Sequence, residues 1–167
     1  MGIVRLALFL WAIWFINGCG QSAYLVFTKD ESKTEAIHYT QRGEVRDYFE
    51  TLALMRATYL NPLDPAKYQG DEYFFVGLYI PDDFPDDNRS GIQNPLYRLS
   101  LNGDAPTAYR TLDESDILLK TMPMVTRWHH YYLVSFPAQE HNNTLILTLE
   151  KVNVQKGSVA FQKVNAK

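Results

Sequence analysis

The stretch "VTRWHHYYLVSFP", residues 125–137, limits the fold of this chain more than any other. Within it Trp128, His130, Tyr132, Val134 and Phe136 fall on one side of a two-residue repeat, and His129, Tyr131, Leu133 and Ser135 fall on the other. Aromatic and β-branched side chains in that period suit a strand, and Pro137 closes it because proline cannot donate to a ladder. The same alternation predicts Trp128 as a core residue. "EHNNTLILTLE" follows, with Leu145, Leu147 and Leu149 alternating with Ile146, Thr148 and Glu150. Residues 128–150 therefore read as a hairpin with "AQEHNN" as its loop.

Other runs point the same way. "EYFFVGLYIP", residues 72–81, carries large side chains at both alternating sets of positions and suits a strand covered on both faces. "NPLYRLSLNGD" sets Tyr97, Leu99 and Leu101 against Arg98 and Ser100 and ends in the tight-turn pair Asn102-Gly103. "SVAFQKV" reads as a last strand after a turn at Gly157. Residues 44–62 fit two periods: Val45, Tyr48, Phe49, Leu52, Met55 and Tyr59 share a helical face, whereas Met55, Ala57 and Tyr59 alternate with Arg56 and Thr58. The neighbouring strands favour a strand over 51–60, with a helical turn before it. With weaker runs at 24–28 and 36–40 the count reaches seven to nine strands, which predicts a mainly β chain folded as a two-layer antiparallel sandwich. An immunoglobulin-like architecture is compatible with that count, although a chain with one cysteine lacks the inter-sheet pair of true immunoglobulin domains.

The 167 residues suffice for one domain and a short appendage, and no internal disulfide can form from a single thiol. A formal net charge of −3 with no basic stripe argues against nucleic acid as a partner. The thiol, Cys19, stands directly behind an apolar run. "MGIVR" supplies one positive charge at Arg5, and "LALFLWAIWFI" adds eleven apolar residues, Leu6 to Ile16. As a helix that run reaches only about 16 Å, roughly half of a bilayer's hydrocarbon thickness. It has the layout of a signal peptide, not of a spanning helix.

The end of that run, "FINGCG", resembles the lipobox of bacterial lipoproteins, with Ile16 at the aliphatic position, Gly18 at the small one and Cys19 as the acceptor. The resemblance covers about residues 5–20. It implies cleavage before Cys19, diacylation of its thiol and attachment to the membrane through the N-terminal lipid. Two or more acyl chains give the stable anchoring that one chain does not. Gly20 in the next position is compatible, within that family, with the outer membrane facing the periplasm. Residues 1–18 are thus expected to be a lipoprotein signal peptide, 19–35 a lipidated N-terminus and tether, and 36–167 the sandwich domain. Two other readings stay open: an uncleaved signal anchor from Leu6 to Phe27, and a secreted chain with an incidental cysteine.

Candidate chemistry in the body is sparse. "DDNRSG", Asp86–Gly91, matches the front of a calcium loop, where Asp86, Asn88 and Ser90 could ligate one ion with Asp82 and Asp83 nearby; Tyr97 stands where a bidentate glutamate is needed. His129 and His130 point to opposite faces of a strand, so only one could join His141 at a metal, and two imidazoles make a poor zinc site. Asp113, Glu114 and Asp116 in "TLDESD" are candidates for acid and base work, with turn and capping roles as the simpler reading. No nucleophile motif is present, and no catalytic residue, cofactor or metal is assigned. Eleven Tyr, nine Phe and three Trp suggest core packing, with exposed rings available to a sugar or a protein. The expectation is a non-enzymatic envelope lipoprotein that works by protein interaction or in envelope assembly, with an envelope protein as partner. The alternative is a sugar- or cell-wall-binding or hydrolytic lipoprotein.

Overall fold

A computed structural model describes residues 33–163, and Cys19, the apolar leader and the run at 24–28 lie outside the described residues. Among the described residues eight strands form two antiparallel sheets: β1 (Thr40–Asp47), β2 (Glu50–Tyr59), β3 (Glu72–Tyr79), β4 (Tyr97–Leu101), β5 (Ala108–Leu112), β6 (His130–Phe136), β7 (Thr144–Lys151) and β8 (Gln155–Gln162). The larger sheet has the order β1-β2-β3-β6-β5, and the smaller has β4-β7-β8. The protein is a two-layer β-sandwich. Setting β1 aside, β2-β3-β6-β5 against β4-β7-β8 is the strand order of immunoglobulin constant domains, ABED facing CFG.

Alternation puts the core between the sheets. Ala53, Met55, Ala57 and Tyr59 of β2, and Phe74, Val76 and Leu78 of β3, pack in one cluster with Leu99 and Leu101 of β4 and Leu145, Leu147 and Leu149 of β7. Each such large side chain contributes about 1.5–3 kcal/mol on burial. β3 is covered on its other face too, as its run predicts: Phe75 packs with Leu60, Tyr68, Leu112, Leu118, Met122 and Tyr131. The Tyr131 ring lies over Gly77, its cross-strand partner, where an added Cβ would come within 2.6 Å of the ring. The side of the sandwich between β1 and β8 is closed by contact, since a Cβ on Gly157 would meet the carbonyl oxygen of Glu44 at 2.2 Å.

Several sequence expectations need correction. Trp128 is 64% exposed, because β6 begins only at His130 and the two-residue period does not extend back to it. Residues 128–150 are not a hairpin: β6 pairs with β3 and β5, β7 pairs with β4 and β8, and residues 137–143 cross between the sheets. The ambiguous segment is a strand over residues 50–59, but no helical turn precedes it; residues 40–47 are its hairpin partner, joined by the two-residue turn Tyr48-Phe49. Residues 33–38 are helical and bury Ala36, where the sequence pattern predicts a strand at 36–40. Gly157 lies within β8, and the turn falls at residues 152–154. Asn102 and Gly103 do adopt positive φ, but their turn leads to a single Leu101–Asp104 bridge before the chain crosses to β5.

Candidate functional site

The register places the β1–β2 turn and the β7–β8 turn at one end of the sandwich, and the entry of β1, the start of β3 and the exit of β8 at the other. The two ends differ in kind. At the entry end Glu72, the first residue of β3, is only 2% exposed. Its Oε1 accepts from Lys163 Nζ at 2.7 Å and from the Gln139 amide at 3.2 Å, and its Oε2 accepts from the Tyr59 hydroxyl at 2.7 Å. Lys163 Nζ also donates to the Gln139 carbonyl at 3.0 Å. A residue after β8, the crossing loop and two strands of the larger sheet are thereby tied together. Burial, the hydrogen bond to Glu72 and its charge push the Tyr59 phenol far above the usual tyrosine range. An open cleft of about 550 Å³ lies over this network, lined also by Asn61, Tyr68 and Asp71. Asn61 is committed to the fold, donating to the Asp71 carbonyl and accepting from the Tyr73 amide.

The acidic stretch after β3 runs into a plug that packs against β3, β4 and Tyr132 of β6. Asp83 accepts from the amides of Phe84 and Gly91, and from Asn94 Nδ2, at 2.7–2.9 Å. Asp86 caps a single 3-10 turn, Asp87–Arg89, by accepting from the Asn88 amide. Gly91 has a φ of 56°, and a Cβ there would fall 2.0 Å from the Tyr132 hydroxyl. Asp82, Asp86, Asn88 and Ser90 are thus part of a plug whose best-placed carboxylate already serves backbone and amide donors. Among the described residues no group of three or more His, Cys, Asp or Glu side chains is placed to hold a metal ion.

The structure does bring His129 and His130 close to Asp113 and Glu114, in a groove of about 480 Å³. His141 is elsewhere, in the loop crossing between the sheets. His129 bonds Thr126 Oγ1 at 2.7 Å and its ring stacks on Tyr131; burial, with Arg56, Arg42 and His130 adding, holds its imidazole below the usual histidine value. Asp113 closes a turn on the Ser115 amide, and Asp116 caps the short helix Ile117–Thr121 while pairing with Arg110. Arg110 and the Leu118 amide hold the Asp116 carboxyl below the ordinary range. These carboxylates have the turn and capping roles that their sequence context suggests.

At the far end, Tyr48 is 92% and Phe49 99% exposed at the tip of the β1–β2 hairpin. Tyr48 has a φ of 47°, a region that suits glycine and strains an aromatic residue. Leu96, Val152 and Val154 are exposed at the same end, beside the start of β4 and in the β7–β8 turn. The Tyr97 hydroxyl donates to the Leu52 carbonyl at 2.9 Å and fixes β4 to the hairpin beneath this tip. No local sequence pattern marks either end. Glu72 and Lys163 are 91 positions apart with no linking pattern, and Tyr48 and Phe49 fit a helical period as well as a turn. Two aromatic residues between an Asp and a Glu were the available sign of an exposed turn.

Among the described residues no helix is long and apolar enough to cross a membrane. Comparison with known proteins finds no match, whether among protein-family models, curated proteins or solved structures.

Proposed function

We propose that the protein is a membrane-anchored bacterial envelope lipoprotein, held through a lipid on Cys19, that acts without catalysis by presenting the Tyr48-Phe49 end of its sandwich to a partner protein of the envelope. The observation that carries this reading is the exposed and strained aromatic tip. Two nearly fully exposed rings gain nothing from burial in the isolated chain, and Tyr48 adds a backbone cost of about 1–3 kcal/mol. Side chains of this type are the usual anchors of protein interfaces. The tip also lies away from the residues that connect to the anchor: eight residues of β1 separate it from the chain entry, about 26 Å at strand rise. By analogy, the same end of immunoglobulin sandwiches carries the loops that bind in variable domains.

Anchor and tip are tested separately. The wild-type protein should carry acyl mass and sediment with membranes, and Cys19→Ala should lose both; a wild type without acyl mass rules the anchor out. A photoreactive residue at position 49 should crosslink one envelope protein in intact cells, and the same residue at exposed Ile146 on the smaller sheet should not. Equal crosslinking from both positions would remove the tip from the reading.

The alternative, a sugar- or cell-wall-active lipoprotein, rests on the cleft over Glu72 with its Tyr59 and Tyr68 lining. It is the weaker reading, because both Glu72 oxygens already accept from protein donors.

A further inference from the structure

The described chain begins at Lys33, in the helical residues 33–38, and this short helix lies on the outer face of the larger sheet, where Ala36 packs in one cluster with Leu60, Leu118 and Met122. Beside it is a groove of about 260 Å³. Leu60, Tyr68, Leu118 and Met122 in its lining are buried members of that cluster, whereas Ile117 is 73% exposed. Glu35 of the helix lines the groove as well. The volume is below the roughly 300–1,000 Å³ of small-molecule clefts, and it suits a few apolar side chains better.

The chain itself supplies such side chains at this point. Immediately before Lys33 come the apolar "AYLVF", residues 23–27, and the polar "TKDES", residues 28–32. Between Cys19 and Lys33 no other stretch has successive large apolar residues. Five residues span at most about 18 Å. Glu35 in the lining puts the groove within one helical turn of Lys33, so residues 28–32 are long enough to bring the apolar run back onto it. They are too short to carry it to the Tyr48-Phe49 end, which β1 alone sets about 26 Å away. A segment tethered over so short a linker has an effective concentration in the millimolar range, which any separate occupant would have to outcompete.

We propose that residues 24–27 fold back through residues 28–32 and seat in the groove beside Glu35, covering Ile117 with their apolar side chains. The docking does not depend on a lipid at Cys19. Its consequence rests on the anchor proposed above: with residues 24–27 held, only residues 20–23 separate Cys19 from the body, at most about 14 Å. A lipid there would keep this face of the larger sheet close to the bilayer.

The test uses the full-length protein, expressed in cells with a photoreactive phenylalanine analogue at position 27. Irradiation should join position 27 to residues 60–68 or 117–122 of the same chain, read by mass spectrometry of the digested protein. Ile117→Asp and Leu25→Asp should each lower the yield of that crosslink about fivefold or more, and Ile146→Asp, on the smaller sheet, should leave it unchanged. Position 117 is largely exposed, so its variant keeps the fold. Crosslinks to lipid acyl chains, to a second copy, to another protein or to other residues of the chain overturn the proposal. So does an absent crosslink, or one that either of the variants at positions 25 and 117 leaves unchanged. The acyl mass of the same sample reports on Cys19 separately: a chain without lipid that still forms the crosslink removes the anchor and keeps the docking.

Discussion

One end of this sandwich hides a charge and the other displays aromatic rings. At the entry end Glu72 is buried, yet each of its oxygens has a donor, so the charge is held without an unpaired partner. At the far end Tyr48 and Phe49 stand in solvent at the tip of a two-residue turn. Polar groups in a core are usually stability problems and apolar groups on a surface are usually solubility problems. Here the buried polar network is fully bonded and belongs to the fold, whereas the exposed apolar tip has no folding role. The contrast separates residues that should alter stability from residues that should alter binding.

The largest effect should come from Lys163→Met at the buried end. It leaves Glu72 with the Tyr59 hydroxyl and one amide, and should lower unfolding free energy by about 3 kcal/mol in urea titration. A loss below about 0.5 kcal/mol would mean that the ion pair contributes nothing. Alkaline pH should act next. Burial is the main cause that raises the phenols of Tyr59, Tyr97 and Tyr132 above their ordinary value. A group raised on folding contributes stability that is complete below the unfolded value and fades as pH rises toward the folded one, so stability should begin to fall near about pH 10. Chemical unfolding followed between neutral pH and pH values above that point should find the fall, and Tyr59→Phe should flatten it.

Smaller effects belong to the tip. Tyr48→Gly relieves the positive φ and should raise stability by about 1 kcal/mol while weakening crosslinking at the tip. A destabilised variant would show that the ring packs on something in the folded chain. Phe49→Ser should leave the unfolding midpoint unchanged within about 0.5 kcal/mol, and its effect should appear only in partner capture.

Strand-forming runs were legible wherever alternation was strong. β3, β4, β6 and β7 lie close to where their side-chain periods place them, because period two with bulky residues has one good solution. β5 left no such mark, since four of its five residues are exposed and nothing selects for alternation on an open edge. The β1–β2 hairpin was half legible for a related reason. Met55 and Tyr59 satisfy both periods, and only pairing across the turn decides between them.

Patterns along the chain are enough for the fold class, for most of the strands and, through "FINGCG", for the expectation of an anchor at Cys19. Those readings rest on local patterns, in which neighbours along the chain share a chemical cause. Pairing in three dimensions sets which sheet each strand joins, and with it that residues 137–143 cross between sheets and do not close a hairpin. It alone joined Glu72 to Lys163, left Trp128 outside the core and set Tyr48-Phe49 at the far tip. Each of these depends on pairing between distant segments, and pairing energy is a property of two strands together that neither strand's own sequence encodes.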